Sequence, residues 1–305
     1  MRHNRWSAAA LLPWLLLPVL AACDSASGVD QAAVEPGTTG TVDLDDRPFR
    51  LHVPASYDPA TAVPLVVLLH GYSSDAEESE SYFQFTAESD RRGFLYAMPD
   101  GTTDLAGDRF WNATDACCNI YRAEVDDSGY LRRLIETVMS SYQVDPARIY
   151  LFGHSNGGFM AYRVACEHSE LVAAVASLAG MPHQDRSLCQ PEHPVSVLHI
   201  HGTADDVIPY QGADNWREFP SAEETVARWR DLNGCGEPAD TSAAPLDLDS
   251  EVPGAETTVV AYRDGCRDGS QVALWTIQDG DHVPGLTPAF APAVVDFLYA
   301  AAPAR

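Results

Sequence analysis

The stretch Ile149-Tyr150-Leu151-Phe152-Gly153-His154-Ser155-Asn156-Gly157-Gly158 joins an apolar, β-prone run to a glycine-rich turn, and residues 159–165 then have the composition of a helix. A serine on a sharp turn between a strand and a helix leaves no room for side chains two positions away, which explains glycine at 153 and 157. A chance match of five residues is the alternative, but it does not account for the flanking strand and helix. The stretch therefore predicts a nucleophile elbow with Ser155 at its tip, beside the positive end of the helix.

Strand and helix patterns alternate on both sides of this elbow. A helix with apolar residues spaced i, i+3, i+4 is indicated from Leu131 to Met139, and Ser221 starts another. A polar loop rich in Ser and Glu is expected before a helix around residues 82–92. Continuous apolar runs, typical of strands covered on both faces, occur at 64–69, 94–98 and 171–176, and residues 195–202 are predicted to form the next strand. The alternation predicts the α/β class, with a mostly parallel, doubly wound sheet and helices on both faces of a single domain.

The composition limits the possible partners. The chain has 305 residues, 46% of them hydrophobic, so it can bury a large core. Its formal net charge is −25, and an acidic surface of this size repels phosphate backbones. We therefore expect no nucleic-acid partner.

The N-terminal sequence is typical of a targeting segment. Arg2 and Arg5 precede an apolar core that is too short to span a membrane, and the core ends in Leu20-Ala21-Ala22-Cys23, which resembles a lipobox. We expect residues 1–22 to be a lipoprotein-type signal peptide, residues 23–41 a flexible tether and residues 42–305 the catalytic domain. Lipidation of Cys23 would anchor an exported protein to a membrane, in the periplasm or at the cell surface. The alternative is an ordinary signal peptide, with secretion.

Six further cysteines suggest disulfides, because an even number in an exported chain is typical of disulfide bonding. Their spacing does not match a zinc site, so we expect no metal. Cys235 and Cys266 bracket one loop-rich segment and are the favoured pair. Cys117 and Cys118 are adjacent and are expected to bond to two different partners. The full set of disulfide candidates is Cys117, Cys118, Cys166, Cys189, Cys235 and Cys266.

The order of acidic and basic residues can be tested against the elbow. Hydrolases with this elbow place the acid after the serine and the histidine after the acid. Asp205 and Asp206 both follow an apolar strand, and either could orient the base. His282 is the only histidine after them in the sequence, and it lies in a loop that follows the last strand. Ser155, Asp205 or Asp206, and His282 are therefore the catalytic candidates.

An oxyanion needs two backbone donors. One is expected from Asn156, which follows the nucleophile, and the other from the loop after the apolar strand at residues 64–69. We assign the second donor to Tyr72, with Gly71 as the alternative. The earlier histidines, His154, His199 and His201, are expected to be structural and satisfied by backbone groups.

Taken together, the motifs resemble the polyhydroxybutyrate depolymerase and feruloyl esterase-like α/β-hydrolases. The resemblance rests on Leu69-His70-Gly71, on the elbow, on His201-Gly202-Thr203-Ala204-Asp205 and on Gly280-Asp281-His282. It extends over residues 42–302, and it favours Asp205 over Asp206 as the acid. Trp111, in a segment similar to the family's loop before the elbow helix, and Tyr210 are the candidates for the substrate pocket.

The resemblance implies a serine esterase that works without a cofactor. It would cleave feruloyl or acetyl esters or hydroxyalkanoate oligomers through an acyl-enzyme, and a carbohydrate-linked ester is one of the substrates that the resemblance allows. The loop after His282 is one residue shorter than the family's Gly-His-x-Trp-Pro-Gly and lacks its tryptophan, so feruloyl specificity is not implied. A peptidase or lactone hydrolase on the same fold is one alternative, and a non-catalytic, ligand-binding surface lipoprotein is another.

Overall fold

The computed structural model describes residues 33–214 and 217–301. The predicted signal peptide and Cys23 lie outside these residues, so both stay predictions. Within the described residues, no helix is long and apolar enough to cross a membrane.

Nine strands of the described chain form one sheet. The strands are β1 (Thr38–Val42), β2 (Phe49–Val53), β3 (Val63–Leu69), β4 (Leu95–Pro99), β7 (Val144–His154), β8 (Ala174–Leu178), β9 (Ser196–Gly202), β12 (Thr257–Tyr262) and β13 (Val272–Ile277). Their order across the sheet is β1-β2-β4-β3-β7-β8-β9-β13-β12. The six strands from β4 to β13 in that order are parallel, and β1, β2 and β12 add antiparallel pairs at the two sides. The remaining strands form two short ribbons, β5 (Thr102–Thr103) with β6 (Arg109–Phe110) and β10 (Ala213–Asp214) with β11 (Glu218–Phe219).

Helices cover both faces of this sheet, as the sequence predicts. Successive side chains of a strand point to opposite faces, so Leu65, Val67 and Leu69 of β3 enter one core while Val66 and Leu68 enter the other. Three helices pack on the first face and three on the second. They are α3 (Asp127–Ser141), α4 (Asn156–Glu167) and α5 (Ala222–Asn233), then α1 (Ala76–Phe83), α2 (Phe85–Arg92) and α6 (Phe290–Ala300).

Two boundaries differ from the sequence-based expectation. Ala76–Phe83 is a helix, not a polar loop, because the Asp75 side chain caps its first turn and Phe83 buries its ring. The folded part also begins before residue 42, since Thr38–Val42 pairs along its whole length with β2. The small, polar residues before position 42 concealed this strand in the sequence.

The disulfides correct one prediction. Cys235 bonds to Cys266, as the spacing favours, and Cys166 bonds to Cys189. Cys117 and Cys118 bond to each other and not to two different partners. Adjacent side chains point apart on an extended strand, but residues 114–118 form a turn with Thr114 opposite Cys117, and the other four described cysteines are already paired.

The parallel strands bring the candidate residues to one edge. Ser155 follows β7, Asp205 follows β9 and His282 follows β13, so all three lie just beyond the carboxyl ends of parallel strands. In open α/β sheets this edge is where ligands bind.

Candidate active site

Ser155 lies at the turn between β7 and α4, with φ 51° and ψ −121°. A positive φ is uncommon for a residue with a side chain, and the surroundings enforce it. A Cβ at Gly157 would lie 2.0 Å from the carbonyl oxygen of Leu69, and one at Gly153 would lie 2.2 Å from that of Gly157. The turn therefore requires glycine at both positions, as the sequence predicts for an elbow.

His282 connects the serine to the acid. Its Nε2 lies 2.9 Å from Ser155 Oγ, and its Nδ1 lies 2.8 Å from Asp205 Oδ2. Because a carboxylate can only accept, Nδ1 carries the proton and Nε2 is free to accept from the serine hydroxyl. The structure thus brings together the three residues that the chain order singled out.

Asp205 is buried, and its exposed neighbour Asp206 is not the residue that reaches His282. The backbone N–H groups of Val207 and Ile208 donate to Oδ1 at 3.0 and 2.8 Å. Burial on its own would raise the pKa of Asp205, but hydrogen bonds from His201 and His282 outweigh it and hold the pKa well below its usual value. The carboxylate is therefore ionised at neutral pH.

Two side chains from elsewhere in the chain fix the loop of His282. His154 Nε2–H donates to the backbone oxygen of His282 at 2.9 Å, and the Tyr82 hydroxyl donates to that of Pro284 at 2.5 Å. Burial, followed by the nearby His282, lowers the pKa of His154 to about 4, so its ring is neutral. The sequence interpretation expected a structural His154 but missed Tyr82, for which no local pattern gives a signal.

Of the predicted oxyanion donors, Asn156 directly follows the serine, and Tyr72 directly follows Gly71, which lies near it. Asn156 is the first residue of α4, where a backbone N–H has no acceptor within the helix. The backbone of Trp111 holds the Asn156 side chain at both ends. The Trp111 backbone N–H donates to Oδ1 at 2.6 Å, and Nδ2–H donates to the Trp111 backbone oxygen at 3.0 Å. On the other side, a Cβ at Gly71 would lie 3.5 Å from that of Ser155, which brings the backbone leading into Tyr72 against the nucleophile.

Neither candidate for the pocket wall faces an open cleft. Trp111 is fully buried, and its indole N–H donates to the oxygen of His70 at 3.0 Å. Tyr210 is 6% exposed and contacts Thr276 Oγ1 at 3.1 Å through its hydroxyl. Both side chains are structural, because their polar atoms form hydrogen bonds with neighbouring parts of the fold.

A cavity of about 420 Å³ is bordered by the loop that follows β6, the loop that follows β8 and the start of β11. Its walls are mainly polar, and the sequence interpretation did not identify it because they come from separate loops. They are Thr114, Asp115, Ala116, His183, Gln184, Asp185, Leu188 and Glu218.

The chain is similar in sequence to known esterases. The family described as "Putative esterase" matches residues 44–231. A relative named "Putative esterase NocK", from Nocardia uniformis subsp. tsuyamanensis, is 31% identical over 82% of this chain and 74% of its own length. Feruloyl esterase B of Piromyces equi is 28% identical over 76% of this chain, and the match spans 42% of that relative.

The fold also has counterparts among solved structures. An acetyl xylan esterase from Aspergillus awamori superposes with a TM-score of 0.63 at 15% identity, over 87% of this chain and 100% of that structure. At that identity the similarity concerns the fold, an α/β-hydrolase fold with a mostly parallel central sheet.

Proposed function

Because the chain belongs to this esterase family and is a carboxylic ester hydrolase, we propose that it cleaves esters through Ser155, His282 and Asp205. One observation carries the proposal: the ring of His282 bridges Ser155 Oγ at 2.9 Å and Asp205 Oδ2 at 2.8 Å. Nucleophile, base and orienting acid are then in one hydrogen-bonded line.

The reaction would start with transfer of the Ser155 hydroxyl proton to Nε2 of His282 as Oγ attacks the ester carbonyl. Asp205 stabilises the imidazolium that forms, since its carboxylate stays ionised. The negative oxygen of the tetrahedral intermediate would accept from the backbone N–H groups of Asn156 and Tyr72, which the closeness of Gly71 to the serine supports. His282 then gives its proton to the leaving alcohol, and an acyl-enzyme remains.

Water would complete the cycle by the same route. His282 Nε2 takes a proton from water as the hydroxide attacks the acyl-enzyme, and it returns the proton to Ser155 Oγ when the acid leaves. No step needs a group other than these side chains, the two backbone donors and water.

We propose small acyl esters of a carbohydrate-linked alcohol as the substrate class. The relatives carry the names feruloyl esterase and bifunctional acetylxylan esterase/xylanase. Esters of 3-hydroxybutyrate oligomers are the competing class.

Ser155→Ala should abolish turnover of p-nitrophenyl acetate, with kcat falling by roughly 10⁴-fold or more. Asp205→Asn should lose a similar factor, because the asparagine cannot select the required tautomer of His282. Asp206→Asn is the matched control and should keep its kcat, since that side chain is exposed and does not contact the base. Retained turnover in Ser155→Ala would remove the central claim.

Two further assays separate the alternatives. A fluorophosphonate probe should label the wild type and not Ser155→Ala, whereas a ligand-binding protein without catalysis would not be labelled at all. A panel of acetyl, feruloyl and 3-hydroxybutyryl esters, each on methanol and on a monosaccharide, should show higher kcat/KM for the sugar esters. Preference for peptide or lactone substrates would contradict the proposed class.

Export and anchoring form a separate proposal. Three disulfides within the described residues suit an oxidising compartment, and the lipobox-like segment ends at Cys23. We propose that the mature protein is exported and anchored through a lipid on Cys23. Cys23→Ser should shift the protein from the membrane to the soluble fraction, and unchanged membrane association would contradict the anchor.

A further inference from the structure

Behind the acid of the site lies a buried chain of three side chains from two elements. Tyr162 of α4 has its hydroxyl 2.8 Å from Nδ1 of His199, and His199 Nε2 lies 3.1 Å from Nδ1 of His201. His201 Nε2 then reaches the oxygen of Ile208 at 2.8 Å and Oδ2 of Asp205 at 3.2 Å. All three side chains are fully buried, so no solvent can substitute for a lost partner.

With both imidazole rings neutral, the protons shared by Tyr162, His199 and His201 have one consistent arrangement. The carbonyl oxygen of Ile208 can only accept, so Nε2 of His201 carries a proton. In the neutral ring Nδ1 must then accept, which requires a proton on Nε2 of His199. By the same step Nδ1 of His199 accepts from the Tyr162 hydroxyl. Burial, and then the adjacent His201, lower the pKa of His199 well below its usual value, in keeping with a neutral ring.

The series of hydrogen-bonded side chains ends at His201, which lies beside the catalytic carboxylate of Asp205. Oδ2 of Asp205 accepts from His282 at 2.8 Å and has His201 Nε2 at 3.2 Å, while Oδ1 accepts from two backbone N–H groups. One of those groups belongs to Ile208, whose carbonyl oxygen lies 2.8 Å from the same Nε2 of His201, so the Nε2–H is shared between that oxygen and Oδ2 of Asp205. His201 and the Ile208 peptide thus hold the carboxylate from two sides, and a rotation of the carboxylate would break both sets of bonds.

We propose that His201 is a positioning residue of the catalytic site: its Nε2–H fixes the Asp205 carboxylate toward His282, and His199 and Tyr162 fix the tautomer of His201. The proposal rests on the proposed roles of Ser155, Asp205 and His282. His201 touches neither the substrate nor the nucleophile, and it acts through Asp205.

The test compares two substitutions at one position. His201→Leu removes the donor, and kcat should fall on the order of 10- to 100-fold with KM within about twofold, as expected when a catalytic group loses its orientation. His201→Gln can present its side-chain N–H near the position of Nε2 and should recover kcat to within about threefold of wild type. Unchanged kcat in His201→Leu, or no recovery in His201→Gln, would overturn the proposal.

A matched control separates positioning from general loss of a buried histidine. His52 is 3% exposed and hydrogen-bonds to Thr39 and Asp90 on the β1–β2 side of the sheet. His52→Leu should lower the thermal midpoint but leave kcat unchanged. An equal loss of kcat in His52→Leu and His201→Leu would assign the effect to stability and contradict a positioning role.

A spectroscopic arm does not depend on turnover or on the folding of a variant. Nitrogen-15 NMR of histidine-labelled wild type should show protons on Nε2, and not on Nδ1, for both His199 and His201. A proton on Nδ1 of His201 would overturn the proposal even if the variants do not fold. If Ser155→Ala keeps its activity, the catalytic assignment fails while this tautomer result stands, so the two failures can be told apart.

Discussion

The nucleophile side and the base side of the site are built in different ways. The elbow around Ser155 is specified by two glycines of one short segment, because Gly153 lies against Gly157, and Gly157 against Leu69 of β3, more closely than any larger residue permits. The loop of His282 is specified by side chains from elsewhere, since His154 and Tyr82 hold its backbone through hydrogen bonds across 128 and 202 positions of sequence. Steric limits on one short segment thus determine one half of the site, and hydrogen bonds from distant side chains determine the other.

This difference predicts different responses to substitution. A change in the elbow meets backbone atoms that cannot move, so it should affect both folding and catalysis strongly. A change beneath the base loop removes one bond among several, so it should affect catalysis in a graded way.

Gly157→Ala should have the largest effect. Its Cβ would lie 2.0 Å from the Leu69 oxygen and 2.6 Å from that of His70, so the elbow must shift. We expect a destabilisation of about 3 kcal/mol, as for severe overpacking, and a drop in kcat on the order of 100-fold from the displaced serine. Urea denaturation and ester hydrolysis measure the two effects.

Gly236→Ala is the control for this change. There the nearest atom to an added Cβ is the Asp264 oxygen at 3.3 Å, which a small shift can relieve. Wild-type kcat in Gly157→Ala would show that sterics do not set the elbow.

The sequence could predict the elbow side of the site and much of the fold. The elbow, the buried strands and the order of acid and base each leave a pattern in a short window or in the chain order. The sequence did not predict helix α1. Phe83 is the only large apolar residue that α1 buries, so its sequence shows no helical period. The roles of Tyr82 and His201 depend on which elements the fold brings together, and no short pattern encodes that.

The pairing of the adjacent cysteines also depends on the fold and not on a short sequence pattern. Their count predicted disulfides, but the pairing of Cys117 with Cys118 follows from a turn at residues 114–118 inside a long loop. Spacing alone cannot describe the course of such a loop, because many conformations connect the same ends. The position of Trp111 has a related cause: its segment resembles the family's loop before the elbow helix, but hydrogen bonds with residues distant in sequence direct its side chain into the core.

The stability of the protein should fall in acid because of His154, which lies beneath the base loop. An unfolded histidine binds a proton below about pH 6.5, whereas burial and His282 lower the pKa of His154 to about 4 in the folded protein. Between these two values the unfolded chain binds more protons, so stability falls as the pH falls from 6.5 toward 4. His154→Gln keeps an N–H donor without a charge and should remove roughly 2 to 3 kcal/mol of this loss.

Urea unfolding of wild type and His154→Gln at pH 7 and pH 4.5 measures the difference. Asp205, whose pKa is lowered, contributes stability that is lost only below the usual range of carboxyl groups, so it does not obscure the comparison at these two pH values. An equal loss of stability in both proteins would mean that His154 does not resist protonation.

Tyr82→Phe should have the smallest effect, because it deletes one hydrogen bond and keeps the ring that packs on Phe83 and His154. Loss of the bond to the Pro284 oxygen should cost about 1 kcal/mol of stability. The base loop would keep its bond from His154, so kcat should fall by only about three- to tenfold with KM nearly unchanged. Tyr57→Phe also removes a hydroxyl, one that accepts from Gln143 N–H far from the base loop, and should lower stability without changing kcat. If both variants kept full kcat, the loop of His282 would be held by its remaining contacts alone, and the contrast with the elbow would narrow to the role of His154.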